Sequence, residues 1–224
     1  RRAVVWSGSG WGSKTDLGTH RTDNSGVSSA TAASTDSSVV VGEASGDTFS
    51  QHATVWSGSG WGSKTDLGTL SSGNANGSSA SAVSGDGSVV AGWAHDDNYV
   101  QRAIVWSGSG WQTKTDLGTL RTNNSGSSIA YAVSRDGSVV VGQADNDNGE
   151  THATVWSGSN WATKTDLGTL KAYNTGYSSI HAVSSDGSVV VGHSEWDGGT
   201  PTHATVWSGS GWATKTDLGT LKTN

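Results

Sequence analysis

Cysteine and methionine are both absent from the 224 residues, which also hold a single phenylalanine and a single proline. Without cysteine no disulfide can staple the fold, and the redox compartment leaves no mark on the chain. Only 32% of residues are hydrophobic and 14% are charged, so the usual fillers of an enzyme core are scarce. No apolar run is long enough to span a bilayer as a helix, and the opening residues do not follow a signal-peptide pattern. The net charge is −6 with lysines scattered singly, which removes the basic footprint of a nucleic-acid binder. Opening on "RRAVV" and holding no methionine, the chain reads as processed or as part of a longer array.

What is present is tryptophan. Ten of the 12 fall in pairs spaced like "WSGSGW": Trp6 and Trp11, Trp56 and Trp61, Trp106 and Trp111, Trp156 and Trp161, Trp207 and Trp212. Ten buried rings of roughly 150–250 Å² each supply on the order of 50 kcal/mol of gross transfer energy at ~25 cal/mol per Å². Ordering the backbone costs ~1–2 kcal/mol per residue. A core this poor in Leu, Ile and Phe therefore needs these rings, and the pairs are expected to be internal fasteners rather than platforms for a ligand.

The first tryptophan of each pair recurs at positions 6, 56, 106, 156 and 207, a period of about fifty residues. Each full unit divides into four short strands, of the types "SSAYAVS", "SVVVGQA", "HATVWSG" and "WGSKTDLGTL". Helical spacing is absent, and β-branched residues and glycine dominate. The Asp-Gly pairs at 86–87, 136–137 and 186–187 predict two-residue type I′ hairpins. The run Val139–Val141 is apolar on both faces, as in a sheet covered on both sides. The "WSGSGW" loop is expected to be a tight turn setting its two tryptophans opposite each other on adjacent strands. Asn160 replaces the second glycine of that loop, which predicts a left-handed backbone there.

The fold class is thus all-β, in tandem four-stranded units arranged as propeller-like blades, with a β-solenoid or a linear stack of small sheets as the alternative. The small residues Ala32, Ala82, Ala132 and Ala182 suit strands crowded at an axis. The single array over 1–224 divides into a half unit 1–27 and units 28–77, 78–127, 128–177 and 178–224. Five copies of the "VW…DLGT" half meet only four of the "SSA…VVVG" half, so one half-blade is surplus. His20 and Ala33 depart from the Leu70, Leu120, Leu170, Leu221 and Val83, Val133, Val183 of later copies, which marks the first copy as a cap. The other end is expected to continue.

The motifs "HATVW", "DLGTL", "SSAYAVS" and "DGSVVVG" resemble the HAF family of bacterial extracellular repeats over nearly the whole chain. Thr54, Thr154 and Thr205 stand where that family has Phe, and Arg2 and Arg102 where it has His. The resemblance implies an extracellular or cell-surface setting and a propeller-like array, and it transfers no catalytic residue.

Candidate chemistry is sparse. The aspartates of "DLGT" (Asp16, Asp66, Asp116, Asp166 and Asp217) follow a lysine by two residues and read as solvated pairs or turn caps. His52, His152 and His203 share their position with Arg2 and Arg102, so they read as strand-end hydrogen-bonding groups rather than metal ligands. Asp47, Asp97, Asp147 and Asp197 recur every fifty residues in otherwise variable loops; with Asp145 they are candidate calcium ligands, or else makers of Asx-turns. Asn76 and Asn123 head glycosylation sequons. Near-identical copies offer none of the asymmetry that a catalytic site needs.

The expectation is a non-catalytic extracellular structural or adhesive repeat protein that associates head-to-tail with itself through sheet edges at its termini. No cofactor beyond calcium is implied. The alternative is a carbohydrate-binding propeller, with glycans as partners. If the paired tryptophans are packed, sugars must use the irregular Trp93, Trp196, Tyr99, Tyr131, Tyr173 or Tyr177 instead.

Overall fold

β-branched residues at alternate positions, broken by glycine turns, give short antiparallel strands throughout this computed structural model, which describes residues 1–47 and 50–220. Leu221, the last member of the leucine series, lies outside the described residues. A two-stranded ribbon, β1 (Val4–Ser7) and β2 (Ser13–Asp16), comes first. Four four-stranded meanders follow. Blade 1 holds β3 (Ser28–Ala33), β4 (Val40–Ser45), β5 (Gln51–Ser57) and β6 (Ser63–Asp66). Blade 2 holds β7 (Ser78–Val83), β8 (Val90–His95), β9 (Gln101–Ser107) and β10 (Thr113–Asp116). Blade 3 holds β11 (Ser128–Val133), β12 (Val140–Asp145), β13 (Thr151–Ser157) and β14 (Thr163–Asp166). Blade 4 holds β15 (Ser178–Val183), β16 (Val190–Trp196), β17 (Gly199–Ser208) and β18 (Thr214–Asp217). The opening ribbon matches the outer two strands of a blade and is a half-blade.

The innermost strands β3, β7, β11 and β15 neighbour one another in sequence order, and β7, β11 and β15 each also pack on the two middle strands of the blade before. Alanine at these strands permits that approach. The valine run works as its two-sided pattern requires: Val140 packs toward blade 2 and Val141 toward blade 4, and both are fully buried. The array is therefore a set of propeller-like blades.

Between blades the fastener is tryptophan. Trp106 of blade 2 lies among Val41, Ala53, Val55 and Leu67 of blade 1. Trp156 and Trp207 repeat this arrangement one and two blades on, and Trp56 seats on Ala3, Val5 and Leu17 of the half-blade. All four rings are 0% exposed. Each removes roughly 150–250 Å² from water, or ~5 kcal/mol of gross transfer energy.

Three local expectations need correction. The paired tryptophans do not face each other across the ladder: Trp56 pairs with Lys64, while Trp61 belongs to a 3₁₀ turn at Ser59–Trp61. Trp61 there adopts a left-handed φ of 56°, and its indole N–H donates to the Ser37 carbonyl at 3.0 Å. The ring is held down on the inner hairpin of its own blade. Asn160, by contrast, has the expected left-handed φ, 52°.

The hairpins are not type I′. At Ser134–Val139 only Gly137 is left-handed, closing an i to i+3 bond to the Ser134 carbonyl. The Asp136 carboxylate accepts from the Ser134 and Ser138 hydroxyls and the Ser138 N–H, so its side chain stabilises a longer turn than the dipeptide rule allows for. Finally, the "DLGT" aspartates cap their turns by accepting the N–H of the glycine two residues on, but they do not pair with the lysine two residues before. Asp66 binds His52 at 2.8 Å and Asp116 binds Arg102 at 3.1 Å, while the lysines reach away to the preceding blade.

Candidate functional site

Repetition makes every blade a control for the others, so a functional surface is one where equivalent residues differ in environment. The two end faces differ in this way. On the half-blade, Trp6 is 55% exposed and Trp11 73%, although the first shares its position with four fully buried rings. On blade 4, Leu218 is 61% exposed, against 3–4% for Leu17, Leu67, Leu117 and Leu167. Val191 is 37% exposed where Val41 and Val141 are 0%. Ala204 is also exposed and Val206 half-buried, while Ala53, Ala103, Ala153, Val55, Val105 and Val155 are buried. His20 closes the inner side only: its Nε2 lies 3.0 Å from the Thr54 hydroxyl of blade 1, and burial lowers its pKa.

The two faces carry the residue positions that form the joint between interior blades. Elsewhere that joint consists of a tryptophan on an Ala–Val–Leu surface and a lysine ammonium on a backbone carbonyl. Lys64, Lys114, Lys164 and Lys215 donate to the carbonyls of Thr19, Thr69, Thr119 and Thr169 at 2.6–2.9 Å. Lys14 holds the same position in the half-blade. A threonine, Thr220, again follows the last "DLG".

The remaining candidates have structural partners. Asp47, Asp97, Asp147 and Asp197 accept the backbone N–H of Thr22, Ser72, Thr122 and Ala172, each twenty-five residues earlier. Their strict spacing is that of a loop tie between the second and fourth strands' exits. Asp145 accepts from the Ser127 N–H and Thr151 hydroxyl and lies 3.6 Å from Arg121. Among the described residues no three His, Asp or Glu side chains gather as a metal ion would require. Asn76 is 6% exposed and spends its amide nitrogen, the atom a glycan would take, on the Asp96 carbonyl at 2.8 Å. In the folded chain it is closed to a glycan, whereas Asn123 is exposed.

His52 and His152 act near strand ends and His203 within β17, with Nδ1 2.8–2.9 Å from Asp66, Asp166 and Asp217. Burial pushes the Asp66 carboxyl up, but the His52 hydrogen bond and charge with the Gly68 N–H outweigh it, and the net shift is downward.

One feature escaped the sequence. The four inner hairpins converge on an axial cavity of about 730 Å³ lined by Asp36, Asp86, Asp136 and Asp186 with Arg135. Bonds to the Ser34 and Ser184 hydroxyls and the Ser38 and Ser188 N–H groups hold Asp36 and Asp186 down at about 2. The residue before each aspartate (Thr35, Gly85, Arg135, Ser185) differs in all four copies of a hairpin that otherwise changes only at Ser37, and that variation was the available signal. Its backbone links the blades: Thr35 N–H donates to Gly85, Gly85 to Arg135 and Arg135 to Ser185.

The fold is an all-β array of propeller-like blades. No family model matches the chain, and no curated protein matches its sequence. Among solved structures it is similar to TolB from Acinetobacter baumannii, with TM-score 0.60 and 12% identity, over 93% of this chain and 46% of that one. It is also similar to a putative TolB from Agrobacterium tumefaciens, with TM-score 0.60 and 13% identity, over 97% of this chain and 79% of that one. The chain thus spans just under half the length of the Acinetobacter protein. At such identities the likeness is one of fold.

Proposed function

We propose that this chain is a non-catalytic extracellular repeat module that assembles head-to-tail with copies of itself. The observation that carries the reading is the pair of matching faces: exposed Trp6 at one end and exposed Val191 and Leu218 at the other. In this reading Trp6 of one copy seats on Val191, Ala204, Val206 and Leu218 of the next, and its Lys14 reaches the Thr220 carbonyl. Such a contact is heterologous, so it propagates unless the rotation closes a ring. An extracellular setting is supported by the motif resemblance to HAF repeats. The carbohydrate-binding reading loses its repeated platform, because the first tryptophan of four pairs is fully buried.

The test is complementation. Trp6→Asp spoils one face and Leu218→Asp the other, and each variant alone is expected to stay monomeric in sedimentation velocity. An equimolar mixture retains one intact joint and is expected to give heterodimers and nothing larger. Wild-type protein that remains monomeric at high concentration overturns the reading.

A further inference from the structure

Each joint between successive blades holds a lysine and an asparagine against one threonine peptide. Lys164 on β14 donates to the Thr119 carbonyl at 2.9 Å, and the Thr119 N–H donates to Asn124 Oδ1 at 2.9 Å. Lys215 on β18, Thr169 and Asn174 repeat the arrangement one blade on, at 2.9 and 2.7 Å. In these two joints the lysine also reaches the carboxamide itself. Lys164 Nζ lies 2.9 Å from Asn124 Oδ1, and Lys215 Nζ lies 3.0 Å from Asn174 Oδ1. Glycine permits the approach: a Cβ on Gly118 would sit 2.2 Å from Asn124 Oδ1 and 2.5 Å from Lys164 Nζ.

The threonine peptide prepares both groups. Its N–H draws electron density from the carboxamide carbon and can stay on the oxygen as that carbon becomes tetrahedral. Its carbonyl orients the amine. Burial lowers the pKa of Lys164 and Lys215, which favours the neutral, nucleophilic form. The charges of Asp116 and Asp166 oppose that shift, so a carboxylate stands near each amine. The Gly118 and Gly168 N–H groups fix these carboxylates at 2.8 and 2.7 Å. At the equivalent joint one blade earlier, Asp66, Asn74 and Lys114 line a single crevice of about 240 Å³.

We propose that Lys164 forms an isopeptide bond with Asn124, and Lys215 with Asn174. In each case the neutral amine attacks Cγ, so that an Nζ–Cγ bond forms and the Cγ–Nδ2 bond breaks. One proton moves from Nζ to Nδ2 by way of the neighbouring Asp carboxylate, and that nitrogen leaves as ammonia. No oxidant or cofactor is consumed. The product ties a blade's outermost strand to the loop that enters the same blade from the one before. A chain without cysteine thereby gains the constraint on its unfolded state that a disulfide supplies elsewhere.

The test is the intact mass of the folded full chain after incubation at mildly alkaline pH, where the amine is neutral more often. Each bond removes one ammonia, about 17 Da, and the expected deficit is twice that. Digestion should release branched peptides joining Lys164 to Asn124 and Lys215 to Asn174. Lys164→Arg and Lys215→Arg keep a cation on the threonine carbonyl but cannot form the bond, so each should recover one ammonia. Asp166→Asn should leave Lys215 and Asn174 unjoined, with an unchanged circular dichroism spectrum; a bond formed in that variant overturns the carboxylate's part. A wild-type chain of full sequence mass overturns the proposal. So does a deficit that survives both lysine substitutions, because an asparagine succinimide would then account for it. The mass is read on single chains, so this result and the head-to-tail reading stand or fall separately.

Discussion

Trp106 and Trp6 have almost the same local sequence, "RAIVWSGSGW" against "RAVVWSGSGW", yet one is 0% and the other 55% exposed. Leu117 and Leu218 make the same contrast at the other end, at 3% and 61%. The interior blades and the ends are built from one unit, so the difference lies wholly in whether a neighbour is present. A stack of units that each bury their faces on the next has this property by construction. Its end faces carry the unit's binding chemistry whether or not anything covers them.

The comparison can be broken most directly at the tryptophans. Trp106→Ala should cost about 3–5 kcal/mol in denaturant unfolding monitored by circular dichroism, the range for a large buried aromatic. Trp6→Ala on the monomer should stay within about 0.5 kcal/mol. A comparable loss from both would mean that Trp6 is covered in the isolated chain. Next come the leucines. Leu117→Ala should lose about 2–5 kcal/mol and Leu218→Ala very little by the same measurement.

Charge should follow the same rule with a smaller effect. Arg102 is buried, binds Asp116 through two nitrogens and donates to the carbonyls of Asn124 and Gly126. Arg102→Ala should lose about 2 kcal/mol. Arg2 holds Asp16 at the surface, and Arg2→Ala should lose about 0–1 kcal/mol. Thermal midpoints of the two variants separate these outcomes.

The smallest effects are those of pH. Burial lowers the pKa of His20 below 6.5, so the folded state favours the neutral ring. The unfolded chain then takes up the proton first, and stability present above pH ~6.5 is lost as pH falls below it. His20→Leu, which restores the residue of the other repeats, should flatten the unfolding midpoint between pH 7.5 and 5. At lower pH the axial aspartates take over. Asp36 and Asp186 are held at about 2, so their contribution is complete above the unfolded value near ~3.9 and fades as pH falls toward 2. Removing the hydroxyls, as in Ser184→Ala, should shift the acid transition upward; an unchanged transition would mean the turn does not depend on that bond.

The local features were legible because short-range geometry writes them. Four strands per fifty residues, the left-handed Asn160 and the two-sided valines all follow from side-chain alternation and backbone sterics. The errors arose where a side chain reached beyond its neighbours in sequence. Asp136 re-formed its turn with serine hydroxyls, and Trp61 left the ladder for a hairpin carbonyl twenty-four residues away. The tie of Asp97 to the Ser72 N–H was not legible either, because the two lie twenty-five residues apart. The axial cavity was invisible for the same reason: its walls come from two adjacent residue positions repeated in four different blades.

The sequence by itself determined the unit, its strands and the need to bury tryptophan, since these are set by composition and by periods of two and fifty residues. Only the tertiary structure decided which tryptophans are fasteners and which are open contacts. Burial is a property of the surface opposite, and for Trp6 and Leu218 that surface is not supplied by the blade they belong to.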